Sequence, residues 1–501
     1  MLNRLRSSLA AASLLAGLCV PASAQETPPP AADAAAVTAP LTLEDCIKRA
    51  LQNGFAIEIQ RYNSSMAGDS VDIARGSFFP LLSLTGSQSH SNTGPVPGIP
   101  GSKEDARSFR LGVIELLQTG TTVNLSTDLN RSYSSPAAFT SFYNPVYNSD
   151  FTVAVTQPLL RGAGIAVTTA TLNRARIGFT RAGFDFKART LDIIQQTEGA
   201  YFSLVYAREQ LSVFRVSLTL ANRLLEEAQA KKTVGTATAI DVLQAQVGEA
   251  NARSNVLSGE KSVQDSSDAL LALIGRFELD APLGVAKFDD FTGQLPVTAS
   301  SYQLALHNQP DYISAKMQLD QFKLDLSVAK DALKPTLNVD GALGLNGNRG
   351  SSYAAYNSAV NRDNNSWQLG VTLSYPLGRV SDKARYRQSL SLLDQQTLTV
   401  RQLEQSILVQ VRSAVRAVET NSEKVKIAAL AAEYSGKQYD LESARFAAGL
   451  ATSRDVLQTQ SDLENARVAE LQARITLQNS ISALHRLEGS SLERYQIALS
   501  E

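Results

Sequence analysis

The chain has 501 residues, 44% apolar and 19% charged, with 47 Lys and Arg against 48 Asp and Glu for a formal net charge of −1. That balance, with a pI near 6.4, excludes a strongly basic nucleic-acid binder. Three His and two Cys argue against a His- or Cys-built metal site and against a disulfide framework, while the apolar share is enough for a packed core.

The first 24 residues read as an export signal. Arg4 and Arg6 form a positive start, Leu9 to Val20 an apolar run too short to span a bilayer, and Ala22-Ser23-Ala24 a small-residue cleavage site. Cys19 follows the bulky Leu18, which argues against a lipid anchor, and leaves Cys46 as the one cysteine after cleavage, a small apolar residue in a helical pattern. Residues 25–40 are a Pro- and Ala-rich linker, and no later stretch reads as a membrane-spanning helix.

A helix is predicted from Leu43 to Gly76, followed by Pro80 and four strand-like segments between about 81 and 160. In these, apolar and polar residues alternate: Leu82–Ser89, then Phe109, Leu111 and Val113, then Val123, Leu125 and Leu129, then Phe151, Val153 and Val155. Gln118-Thr119-Gly120-Thr121 is a tight turn, whereas 94–101 and Ser134–Ser149 are long Gly/Pro-rich or polar loops. A proline-free stretch from about Val167 to Val234 predicts a helix of roughly 100 Å. It turns at Val234-Gly235-Thr236 and returns as a helix to about Gly275.

The rest of the chain repeats this plan. Ala50-Leu51-Gln52-Asn53 recurs as Ala305-Leu306-His307-Asn308, and Pro80 as Pro335. Gly235-Thr236-Ala237-Thr238 through Asp241-Val242-Leu243-Gln244 recurs as Gly449-Leu450-Ala451-Thr452 through Asp455-Val456-Leu457-Gln458. The first block recurs 255 residues on and the second 214, so the first copy (41–290) carries about forty residues that the second (291–490) lacks; a tail of 491–501 follows. The second copy has strands over about 336–376, with Asn346–Ser366 as a loop between them. Trp367, Leu369, Val371, Leu373 and Tyr375 alternate with Gln368, Gly370, Thr372 and Ser374, the first five predicted to face lipid. Tyr133, Phe151, Trp367 and Tyr375 are expected at strand ends, as in an interfacial aromatic girdle. The long helix from Asp382 to Ala448 carries a stripe through Leu392, Gln396, Val400, Leu403, Ile407, Val411, Val415 and Val418, with coiled-coil-like steps. At most six strands cannot close a wide barrel, so several chains must share one.

Taken in order, these features resemble the TolC family of trimeric outer-membrane efflux proteins. The resemblance rests on Leu43 to Asn53, on the Pro80 and Pro335 junctions, on Thr156-Gln157-Pro158-Leu159 and Ser374-Tyr375-Pro376-Leu377, and on the two Gly-x-Ala-Thr-x-x-Asp-Val-Leu-Gln turns. It implies an α+β membrane protein: a β-barrel shared by three chains and continued by a long α-helical barrel. It implies a passive outer-membrane channel-tunnel reaching into the periplasm, exporting small molecules or proteins. The implied partners are a periplasmic adaptor, an inner-membrane pump or ABC transporter as in type I secretion, and outer-membrane lipid, with no nucleic acid, cofactor or metal. The family has four strands per chain, whereas an extra hairpin over Arg107–Tyr133 would make six here. By the same resemblance the periplasmic aperture falls on Asp455, Gln458, Phe446 and Arg454, with Asp241 as the first-copy equivalent. Adaptor docking falls on Val234, Gly235, Thr236, Ala448, Gly449 and Leu450. A helix-end acid serving its own backbone is the alternative reading of Asp241 and Asp455.

An envelope-spanning coiled-coil structural protein without channel activity is the competing function. Catalysis has little support: His90, His307 and His485 lie in unrelated elements, and neither a phosphate loop nor a Gly-x-Ser-x-Gly elbow is present.

Overall fold

The computed structural model describes residues 42–95, 101–135, 143–275 and 295–497. The export signal and the linker therefore lie outside the described residues, as do 96–100 of the first loop and 136–142 of the second.

Chain order runs α1 (Leu43–Asn53), α2 (Phe55–Gly76), β1 (Leu81–Thr93), β2 (Ser102–Leu116), β3 (Thr122–Ser135), β4 (Val146–Pro158), α3 (Ile165–Thr168), α4 (Ala170–Thr233) and α5 (Ala239–Leu273). The second copy follows as α6 (Thr298–Asn308), α7 (Pro310–Asp331), β5 (Thr336–Arg349), α8 (Ser352–Val360), β6 (Asn364–Ser374), α9 (Val380–Ala447) and α10 (Ser453–Glu488), with α11 (Ser491–Arg494) after it. The strands form one antiparallel sheet in sequence order. No helix among the described residues is long and apolar enough to cross a membrane.

The forty-residue surplus of the first copy is the β2–β3 hairpin. β1 follows Pro80 as β5 follows Pro335, and β4 ends in Pro158 much as β6 runs into Pro376, so β2 and β3 are inserted between matched strands. Six strands per chain, not four, is the observed number among the described residues.

The 64-residue α4 and the 68-residue α9 are each about 100 Å long at 1.5 Å per residue. Each packs against a return helix over one part of its length and a shorter helix over another: α5 and α2 on α4, α10 and α7 on α9. The expected single helix from Leu43 to Gly76 is two helices. Gly54 breaks it with an extended backbone, φ −72° and ψ 124°, and Gln309 does the same at the matching position before Pro310. Both breaks meet the glycine that ends the opposing return helix. A Cβ on Gly275 would lie 2.5 Å from the Asn53 carbonyl, and one on Gly489 would lie 2.8 Å from Asn308 Cβ. Both glycines have left-handed φ, +73° and +70°, so the position demands glycine for space and for backbone conformation together. Asn53/Asn308 and Gly275/Gly489 keep the two repeat offsets, so one contact is built twice.

The mid-height core forms at these breaks. Cys46, Ala50 and Ile57 pack on Ile193, Tyr201, Leu204 and Val205 of α4 and on Leu270 and Ile274. Burial pushes the Cys46 thiol up to about 12, so it stays a protonated, inert packing group. In the second copy Val400, Ile407, Val411, Val415 and Val418 of the predicted stripe are buried against Leu477, Ile481 and Leu484. Gln396 donates to the Ala315 carbonyl at 3.1 Å, while Leu392 stays 38% exposed.

Residues 490–497 pack back on the first copy. Leu492 is buried with Ile47, Leu191 and Ile194. Tyr495 donates its hydroxyl to buried Glu198, and burial followed by the Glu198 charge pushes the phenol well above its ordinary range.

Beside it, Arg494 Nη1 and His485 Nδ1 are 2.8 Å apart; arginine has no acceptor, so the imidazole accepts and must be neutral there. Burial, then the Arg494 charge, lowers His485 to about 4 from the ordinary 6.5. The unfolded chain therefore binds a proton between those values that the folded chain refuses, and this contribution to stability is present above about pH 6.5 and lost as pH falls towards 4, with an upper bound of about 3 kcal/mol. His485→Gln is expected to flatten the fall in denaturation midpoint between pH 7 and pH 4.5 relative to the unmodified protein. Parallel pH profiles for the two would refute this origin.

Candidate functional site: the barrel wall and the helical tips

The sheet has one apolar and one polar face because register is continuous across all five pairings. One row of partners reads Leu82, Val113, Leu125, Val153, Leu343 and Trp367, all apolar. The adjacent row reads Ser83, Gly112, Ser126, Thr152, Gly344 and Ser366, all small or polar. Trp367, Leu369, Val371 and Leu373 share the apolar face and are 66–75% exposed in the single chain. On the polar face Arg110 is paired with Asp128. Asp340 accepts from Thr156 at 2.9 Å and from Thr372 at 3.2 Å, tying three strands together.

The apolar band does not run square to the strands. Its centre lies near Leu111 on β2, and on β6 it lies near 370, five residues nearer the helices than Asn365, the position joined to Leu111 through the ladder. A shift of five residues at about 3.3 Å across four strand spacings of about 4.8 Å corresponds to strands tilted by roughly 40°, the tilt of a closed barrel.

The strands are longer than the alternation suggested. β5 continues to Arg349, β6 begins at Asn364, and the nine-residue α8 lies between them within the expected 346–366 loop, its Ser351 hydroxyl accepting from the Ala354 amide. α8 lies on the apolar face, against Gly347, where a Cβ would come 1.9 Å from the Ala355 carbonyl. Phe151, expected at a strand end, is mid-strand because β4 starts at Val146, and it meets Tyr356 of α8 edge-on at 5.6 Å.

At the far end of the helices the two turns are built alike. Gly235 and Gly449 both have φ +76°. Val234 and Leu450 are 74% and 71% exposed, and Thr236 and Ala448 are exposed beside them. Thr238 and Asp241 close a reciprocal cap on α5, and Thr452 and Asp455 the same cap on α10. Each Asp accepts from its Thr backbone amide at 2.9 Å and from its hydroxyl at 2.7 Å. These bonds hold both carboxyls below the ordinary range. The charges of Arg445 and Arg454 add to the effect at Asp455 alone. Within the chain, then, both Asp residues cap their own helices.

Gln458 donates to Asp462 at 3.0 Å, so an acid lies one helical turn beyond the position that sequence reasoning singled out. Arg454 is exposed. Phe446 is 5% exposed and packs with Leu224, Ala228, Val242, Ala245 and Val456, joining the first-copy hairpin to the second. Lys231, which sequence reasoning missed, stands 3.8 Å above the Phe446 ring and donates to its carbonyl. Its place in a Lys-Lys pair at the end of α4 was the available signal, since helix C-termini favour cations.

A family model described as outer membrane efflux protein matches residues 121–276 and 301–490. The chain is 25% identical to the pyoverdine export outer membrane protein OpmQ of Pseudomonas aeruginosa over 61% of its own length and 63% of OpmQ. It is 25% identical to the alkaline protease secretion protein AprF of the same organism, over 39% of its length and 41% of AprF. The matched region thus spans less than two thirds of either relative. The fold is that of the Campylobacter jejuni CmeC outer membrane channel, with a TM-score of 0.66, 17% identity and coverage of 91% and 90% of the two chains.

Truncating Phe446 tests its packing role. Phe446→Ala is expected to cost about 3–5 kcal/mol locally, read as faster amide exchange over 224–245 and 446–456 with the mid-height core unaffected. Unchanged exchange there would mean that the two hairpins are held by other contacts.

Proposed function

The chain belongs to the outer membrane efflux protein family, and on that premise we propose that it is a passive outer-membrane channel-tunnel assembled from three copies. The carrying observation is the six-stranded sheet with two open edges, β1 and β6, each paired on one side only within the chain. Open edges do not survive in hydrocarbon, because their amides and carbonyls find no water there. Edge-to-edge closure of three copies gives an 18-stranded barrel, a size that leaves an aqueous lumen. The apolar face then meets lipid, the Asp340 and Arg110–Asp128 networks line the lumen, and the four long helices of each copy continue the tube into the periplasm.

The exposed turns around Gly235 and Gly449 are the sites proposed for a periplasmic adaptor, which couples the tube to an inner-membrane pump or ABC transporter. Cargo is a small molecule or a polypeptide: OpmQ is named for the first kind and AprF for the second. The chain itself offers a conduit, with selectivity left to the transporter.

Purified protein is expected to be trimeric by light scattering and to conduct in planar bilayers. A monodisperse, non-conducting monomer would favour a structural spacer instead. Val371→Arg, on the apolar face, should cost about 2–4 kcal/mol of barrel stability if near the midplane, while Thr372→Arg, on the opposite face, should fold and alter conductance. The reverse pattern would invert the two faces.

The tip is the proposed aperture, where three copies of Asp455 would gather round the axis. Clustered carboxylates favour cations and invite block by multivalent ones. Asp455→Asn is expected to weaken cation selectivity and block by a trivalent cobalt complex added from the periplasmic side, and Asp241→Asn to leave both intact. Equal behaviour of the two would leave Asp455 with its capping role alone.

A further inference from the structure

On the apolar face of the sheet, one row carries charge of a single sign. Gln88, Arg107, Arg131, Tyr147 and Arg349 are successive partners across β1 to β5. The row lies one step beyond Phe109, Leu129, Ser149 and Gly347, towards the strand ends remote from the helices. Arg107 and Arg131 are directly opposed, an arrangement that destabilises a sheet unless something neutralises it. Among the described residues neither guanidinium has an ion-pair partner. The next acid along this face, Asp105, is held by His90 at 2.7 Å, and Arg349 reaches Asp363 at 3.4 Å and donates to the Asn348 carbonyl. Arg107 is exposed, and Arg131, Tyr147 and Arg349 are half-buried.

Height along the barrel fixes the partner. With the tilt derived above, Arg107 and Arg131 sit about 10 and 13 Å from the centre of the apolar band, Tyr147 about 15 Å and Arg349 about 20 Å. The half-height of a barrel's apolar band is about 12 Å. The opposed arginines therefore stand at the upper edge of the hydrocarbon, and Tyr147 and Arg349 in the layer above. Tyr353 and Tyr356 of α8, 76% and 50% exposed, lie on the same face where interfacial aromatics belong. At the helix end of this face the corresponding β2 position is Glu115 and no strand residue there is basic, while Arg379, just past β6, already donates to the Tyr375 hydroxyl at 3.1 Å, so opposed arginines without a partner lie at one end of the face only. The arginines of the row lie on β2, β3 and β5, inside the two edge strands that meet neighbouring copies, which leaves lipid as the occupant.

We propose that Arg107 and Arg131, flanked by Tyr147 and Arg349, bind the phosphate groups of a phosphorylated glycolipid in the outer leaflet. This rests on the barrel reading, with the apolar face to lipid. Directly opposed residues have Cβ atoms about 5 Å apart, so two planar guanidinium forks can converge on one phosphate. The anion offsets the repulsion between them, while the acyl chains lie on Leu111, Val113 and Leu125 below. Half of the belt, β2 and β3, belongs to the inserted hairpin, so the second copy of the repeat has no counterpart of it.

The test is native mass spectrometry of the full-length protein in detergent, titrated with diphosphorylated lipid A. The unmodified protein should retain it, and Arg107→Gln/Arg131→Gln should lose at least tenfold in apparent affinity, with Arg131→Gln alone intermediate. Conductance in planar bilayers should stay unchanged in both variants. Dephosphorylated lipid A should bind no better to the unmodified protein than to the double variant, and millimolar inorganic phosphate should not displace the lipid. Equal retention by the double variant, or by dephosphorylated lipid, overturns the belt while leaving the channel intact; displacement by inorganic phosphate makes it a plain anion site. A protein that neither inserts nor conducts overturns the barrel reading itself.

Discussion

Everything about this chain turns on the hydrogen-bonding of backbone at the rim of a sheet. Six strands leave one row of unpaired amides and carbonyls on β1 and another on β6, and in hydrocarbon each such group costs several kcal/mol. Water would relieve that cost for a soluble sheet, but an apolar face as continuous as the row from Leu82 to Trp367 has to be withdrawn from water. The proposed closure with other copies would satisfy both demands. The strand tilt of roughly 40° inferred from the drift of the apolar band is the geometry that closure needs.

Below the sheet, duplication solves a different problem. A helix of about 100 Å buries little unless other helices lie along it, and α4 and α9 each use a short helix and a return helix placed one above the other. The junction between those shorter helices is a point of close backbone approach. In both copies it is a broken helix at Gly54 or Gln309 meeting a left-handed glycine, Gly275 or Gly489. The largest buried clusters form there, which makes mid-height the firmest zone of the helical part. At the tip, by contrast, a small cluster around Phe446 and one lysine join the hairpins.

Much of this was legible in the residues. The repeat offsets gave the double architecture and even the length of the inserted hairpin, because glycines, prolines and capping Thr-Asp pairs mark fixed backbone conformations. Alternation located all six strands. It failed at their outer ends, where Gly347, Asn348 and Arg349 continue β5 without an apolar residue and Ser351 then caps a helix. The helical reading failed at Gly54, since a glycine inside a helical pattern is ambiguous until its neighbour at Leu273 is known. The candidate aperture residues were the least legible. Asp241 and Asp455 repeat in sequence and in capping geometry, and only the nearby arginines distinguish them.

The sequence by itself determined element type, the duplication and which residues share each strand face, because these follow from local periodicity and from backbone preferences at Gly and Pro. Tertiary structure decided that β4 pairs with β5, strands from different copies of the repeat, and so set Arg349 beside Tyr147 in the row that Arg107 and Arg131 begin within a local hairpin. It decided too that Phe446 is buried between hairpins, that Lys231 covers it, and that residues 491–497 fold back to give Glu198 a partner in Tyr495. Those are contacts between groups more than 200 positions apart, and their energies depend on burial and mutual distance, which no short window of sequence contains.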